Sequence, residues 1–192
     1  MLWRLVGALL ASAVVVAPSL AAQRRAAPSG GLWFAGGLGG GWGHVSCAIC
    51  SNRHDPGTSG FVRLGGTAAR RLLIGAETAV WFRGGSEVDQ NAWAISAAAY
   101  WYPERRRRLY LKGGVGYATH HAEDGADVVS SSGFGPHLGA GYEIPLSPRW
   151  RIAPHFNAII GVTGGSVKFN GSTALEGANV SIIQFGLSLI RR

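Results

Sequence analysis

The chain has 192 residues, enough for one domain of ordinary size, with 30 glycines and only 15% charged residues. Beyond residue 22 no apolar run reaches the roughly 18 residues that a membrane-crossing helix needs, so strands and turns are expected rather than a helical bundle. The net charge of +8 invites a nucleic-acid reading, but the arginines cluster as Arg70–Arg71, Arg105–Arg108 and Arg191–Arg192, away from any helical face or aromatic stacking platform.

The N-terminus has the layout of an export signal. Arg4 supplies a positive start, Leu5 to Ala17 an apolar stretch, Pro18 a break, and Ser19-Leu20-Ala21 the small residues before a cut. A signal peptide is expected over residues 1–22, cleaved after Ala21 or Ala22, then a disordered lead over 23–30. A retained anchor is the alternative, and the shortness of the apolar stretch speaks against it. Export also argues against a nucleic-acid partner.

From Gly31 onward the apolar period is two. Leu72, Ile74, Ala76, Val80 and Phe82 share one parity, while Leu73, Gly75, Glu77, Ala79 and Trp81 share the other. The same pattern predicts eight strands, near Gly31–Gly43, Gly60–Ala68, Leu72–Arg83, Asn91–Tyr102, Leu109–Thr119, Gly133–Ile144, Trp150–Ile160 and Asn179–Ile190. Most have the roughly 9–11 residues of a tilted membrane-crossing strand. The connections alternate. His44–Ser59, Gly84–Gln90, His120–Ser132 and Gly161–Ala178 are long, whereas Ala69–Arg71, Pro103–Arg108 and Pro145–Arg149 are short. Outer-membrane barrels show this asymmetry, with short periplasmic turns and longer outer loops.

Parity also assigns faces. Leu38, Leu64, Ile74, Ile95, Val115, Leu138 and Leu187 are expected toward lipid. Arg63, Glu77, Lys112, His137, Glu143, His155, Asn157 and Gln184 are expected toward the lumen. An apolar exterior around a polar interior is the reverse of a soluble barrel. Trp42, Phe82, Trp93, Tyr117 and Phe134 should mark one membrane interface, and Phe34, Trp101, Tyr142 and Trp150 the other. Pro136 and Pro154 fall inside strands, where each removes a ladder donor, so a bulge or local break is expected at each.

Leu111-Lys112-Gly113-Gly114-Val115-Gly116-Tyr117 and Leu138-Gly139-Ala140-Gly141-Tyr142-Glu143 are barrel-strand motifs, and over Gly31 to Ile190 the chain resembles the small outer-membrane β-barrel proteins, the opacity-type and outer-membrane-protein-A-like barrels. The resemblance implies an all-β fold, an eight-stranded antiparallel up-and-down transmembrane β-barrel over residues 31–192, in the bacterial outer membrane. Gln184, Gly186 and Leu189 in the last strand look like the family's assembly signal, which implies the outer-membrane assembly machinery as a partner. Arg191-Arg192 stand where a terminal aromatic is usual. No peptidoglycan-binding domain follows, so the tether of the larger relatives is not expected.

Several constellations are candidates for chemistry. Arg63 with Glu77, and Lys112 with Glu143, fall on neighbouring strands with inward parity. They fit either an ion path or a salt-bridged plug, and an interior just wide enough for its own side chains favours the plug. Cys47 and Cys50 lie in the first outer loop of an exported chain, where a disulfide is expected. Flanking His44 and His54 leave zinc as the alternative. His120 and His121 with Glu123, Asp124 and Asp127 could hold a divalent cation, though a solvated loop is the simpler reading. A lipid acyl hydrolase or acyltransferase would need a histidine beside a hydroxyl, and Ser130 to Ser132 share that loop with His120. No motif joins them, so no catalytic residue, cofactor or metal is expected. The expected role is structural or surface-interacting, by a monomer whose partners are outer-membrane lipids and the assembly machinery.

Overall fold

The computed structural model describes residues 31–46, 55–84, 89–104, 108–124, 127–163 and 165–192. The expected signal peptide and lead, Cys47, Cys50, His54 and Arg105 to Arg107 lie outside the described residues.

Alternating side chains on long extended segments leave each strand with two unlike faces, and closing the sheet on itself satisfies both. Eight strands form the wall: β1 (Leu32–Ser46), β2 (Asp55–Ala69), β3 (Leu72–Arg83), β4 (Asp89–Trp101), β5 (Leu109–Asp124), β6 (Asp127–Tyr142), β8 (Trp150–Ile160) and β11 (Asn179–Arg191). The short β7 (Ile144–Pro145) continues β6, while β9 (Ser166–Phe169) and β10 (Ser172–Glu176) form a hairpin in the last long connection. Each wall strand pairs antiparallel with its neighbour in the chain. β1 then pairs with β11, from Phe34 with Arg191 to Ser46 with Asn179, which closes the barrel and leaves the wall without a free edge.

The eight expected strands are all present, but their ends at the long-connection side reach further. β5 runs to Asp124 and β6 starts at Asp127, in register from Leu109 with Tyr142 to Asp124 with Asp127. The expected loop His120–Ser132 is therefore a tall hairpin. The β9–β10 turn is Asn170-Gly171 with both φ angles positive, +46° and +84°, the conformation a two-residue hairpin turn demands.

Both prolines mark interruptions of one seam. β6 pairs with β8 only from His137 with Ile159 to Gly141 with His155. Beyond Pro136 the next contact is Phe134 with Thr163, one residue out of that register. Below, pairing resumes at Ile144 with Ile152, while β8 and β11 stay in register through Leu187 with Pro154. The missing proline donors thus fall on the β6–β8 seam, and the expected break is found at each.

Candidate functional site: the barrel interior

The faces divide as parity requires. Leu38 is 75% exposed and Val115 69%, while Arg63, Glu77, Lys112, His137, Glu143, His155, Asn157 and Gln184 are all buried inside. Exposed Trp42, Phe82, Trp93 and Phe134 lie toward the long-connection end, where Tyr117 packs 4.7 Å from Phe134 and 6.3 Å from Trp93, centroid to centroid. Phe34 meets Trp150 edge to face at 5.9 Å toward the short-turn end.

The lumen is stacked in tiers. At the long-connection end Phe61, Trp81, Ile159, Val180 and Ile182 pack together. At the short-turn end Trp33, Leu73, Tyr100, Tyr102, Tyr110 and Ile190 do the same. Polar side chains gather in the middle, with a second charged cluster about Glu143 at the short-turn end, and these apolar rings pack beside them. The inward parity of Trp33, Trp81, Tyr100 and Tyr110 was the signal available for the apolar rings.

Glu77 is the hub of the middle tier. Its two carboxylate oxygens each accept a hydrogen bond from Lys112 Nζ at 3.0 Å. Tyr100 donates to Oε2 at 3.0 Å and Asn157 Nδ2 to Oε1 at 3.2 Å. Arg63 Nη1 stands 3.9 Å from Oε2, and Arg63 Nη2 donates to Tyr110 at 3.1 Å. The Arg63 guanidinium also lies over the rings of Phe61, Tyr100 and Tyr110, at 4.8, 5.1 and 5.1 Å. With two cations and one carboxylate, those ring faces stabilise the charge that Glu77 alone cannot balance. His137 Nε2 lies 2.6 Å from Lys112 Nζ and Nδ1 2.6 Å from Ser96 Oγ, which donates to the Glu77 carbonyl at 3.4 Å. This pattern assigns His137 the neutral Nδ1–H tautomer, accepting from Lys112 and donating to Ser96.

Of the four lumen charges singled out from sequence, three meet here. Arg63 faces Glu77 across β2 and β3 as expected. Lys112 is a correction: it bonds Glu77, not Glu143, because both occupy the middle tier while Glu143 lies one tier lower. Fully buried Glu143 accepts from Tyr102 at 2.6 Å, from Arg151 at 3.3 Å and from Arg192. Burial and the Glu143 charge hold the Tyr102 phenol well above its ordinary range. Sequence reasoning missed Ser96, Tyr100, Tyr102, Arg151 and Arg192. Arg192 reaches in from just beyond β11, a packing outcome that no spacing announces.

His120 and Ser131 stand opposite each other on β5 and β6, both buried. No hydrogen bond joins them. His120 stacks on Trp81 at 6.1 Å, and Ser131 Oγ has no partner. No group of three or more His, Cys, Asp or Glu side chains that could hold a metal occurs among the described residues.

A closed antiparallel eight-stranded wall, apolar outside, ringed by aromatics at two levels and charged within, defines a transmembrane β-barrel. The family model for the outer membrane protein beta-barrel domain matches residues 8–189, and the chain belongs to that family. It is a protein of the bacterial outer membrane. Among solved structures it resembles Ail, the attachment invasion locus protein of Yersinia pestis, at 13% identity over 82% of this chain and 97% of that one, with a TM-score of 0.50. It also resembles Neisserial surface protein A, at 13% identity over 84% and 98% of the two chains, with a TM-score of 0.52. Likeness at that identity shows the fold alone. No curated protein matches the chain.

Proposed function

We propose that the protein is a non-conducting outer-membrane scaffold that carries its function on the long-connection hairpins, not in its lumen. The carrying observation is the middle tier: Glu77 is saturated by Lys112, Tyr100 and Asn157, leaving no free carboxylate to pass an ion along the axis. Apolar clusters pack above and below it. An acyl-transfer role has less support, since His120 and Ser131 are turned inward and unjoined.

The orientation follows from charge. Arg70, Arg71, Arg108, Arg149, Arg191 and Arg192 gather at the short-turn end, and Asp89, Glu123, Asp127 and Glu176 at the other, along with Arg83 and Lys168. The basic end faces the periplasm, and the hairpins face outward. The barrel acts as a monomer among outer-membrane lipids, with β11 the strand presented to the assembly machinery. A protease-cleavable tag inserted at Gly125, between β5 and β6, tests this. It should be cut on intact cells, while the same tag after Glu104 stays protected until the outer membrane is opened. The reverse pattern would remove the outward-facing hairpins and the proposal with them.

A further inference from the structure

The lipid-facing wall is not uniformly covered. Gly36 lies on its outer face, between Phe34 and Leu38 along β1 and between Leu189 and Val62 on the neighbouring strands. The missing side chain leaves a dent where four large ones surround it. The result is an apolar groove of about 600 Å³ whose walls include Val62, Leu187, Leu189 and Ile152. Its lower lip is made by Phe34 and Trp150, the aromatic pair at the short-turn interface.

The lip carries a charge. Arg191 is paired in register with both Phe34 and Trp150, and its guanidinium lies 5.7 and 5.8 Å from their rings. Arg151 and Arg192 are engaged by Glu143, whereas no carboxylate pairs with Arg191 among the described residues. An apolar trough at the depth of acyl chains thus ends, at headgroup depth, on an arginine without a carboxylate partner.

We propose that this groove seats one anionic phospholipid of the periplasmic leaflet, an acyl chain over Gly36 and the phosphate against Arg191. Charge complementarity selects the occupant. A second copy of the chain would bring the same arginine near its partner, whereas a phosphate neutralises it. The bidentate donors of arginine suit phosphate geometry. The leaflet rests on the orientation proposed above. The binding does not, so the tag experiment and the one below fail separately.

Native mass spectrometry of the full chain released from detergent, with equal amounts of phosphatidylglycerol and phosphatidylethanolamine, reads the site. One phosphatidylglycerol should be retained preferentially, by about fivefold. Arg191→Gln should lower that preference by about fivefold while leaving the barrel folded. Gly36→Leu fills the dent and should abolish retention of either lipid. An added Cβ at Gly36 meets nothing closer than the Phe61 carbonyl oxygen, at 3.8 Å, so the wall accepts a side chain there. Equal retention of both lipids, or retention unchanged in the two variants, would overturn the proposal. So would a dimer lost on Gly36→Leu, which would give the groove to a second copy.

Discussion

The barrel holds two buried glutamates, each facing two cations, at different depths. Glu77 in the middle tier is 1% exposed, and both of its cationic partners, Arg63 and Lys112, are sealed in with it. Glu143 at the short-turn end is as deeply buried, but the side chains of Arg151 and Arg192 remain 27% and 17% exposed. The same charge pattern therefore does two jobs. In the middle, no member can regain water if another is lost, so the group is bound to fold as a unit. At the rim the arginines can rehydrate, so the cluster weighs less on whether the barrel forms. Depth, more than the number of ion pairs, sets what each is worth.

Glu77→Ala should have the largest effect. It leaves Lys112 and Arg63 buried without a counter-charge, at a cost of about 3–5 kcal/mol. Urea unfolding in lipid vesicles measures it. Adding Lys112→Met to the same protein should recover part of the loss, because an apolar side chain needs no partner. A double variant no better than the single one would separate Lys112 from Glu77.

On the opposite face, Leu138→Arg near mid-strand should cost about 2–4 kcal/mol, whereas Leu32→Arg at the end of β1 should cost about 0–1 kcal/mol. Equal losses in the two proteins would deny the depth dependence. Glu143→Gln should cost less than Glu77→Ala, about 1–2 kcal/mol, as its arginines turn to water. A cost as large as that of Glu77→Ala would erase the contrast between the tiers.

The smallest effect concerns Tyr102. Its phenol is raised above the unfolded value of 10.0, first by burial and then by Glu143. A raised value means that the neutral phenol is favoured by folding. Its contribution is complete below pH 10 and falls as pH rises further. Tyrosinate absorbance should fall short of full ionisation in the wild type, and Glu143→Gln should shrink that shortfall. Tyr102→Phe should flatten the alkaline loss of stability, and an unchanged alkaline limb would contradict this assignment.

Much of the wall could be read from period-two alternation, because a membrane on one side and a packed lumen on the other leave each strand position one acceptable polarity. Leu38, Leu64 and Val115 faced lipid, and Arg63, Glu77 and His137 faced inward, for that reason alone. Strand ends were harder. Beyond the bilayer, polarity no longer alternates under constraint, so His120 to Asp124 and Asp127 to Ser132 resembled a loop although they form a hairpin. The Asn170-Gly171 dipeptide did carry a local turn signal for β9 and β10, inside a stretch expected to be loop. The middle tier was half legible. Parity placed Lys112 and Glu143 on the same face of neighbouring strands, but strand stagger decides height, and height gave Lys112 to Glu77. Arg192 could not be foreseen, since its partners Tyr102 and Glu143 belong to distant strands.

Planar-bilayer recording of the purified protein tests the proposed non-conducting lumen most directly. The tiers described here predict no steady porin-like conductance from the wild type, and brief openings at most from Glu77→Ala, where the middle tier loses its hub. Large, stable open steps in the wild type would contradict a lumen closed by its own side chains.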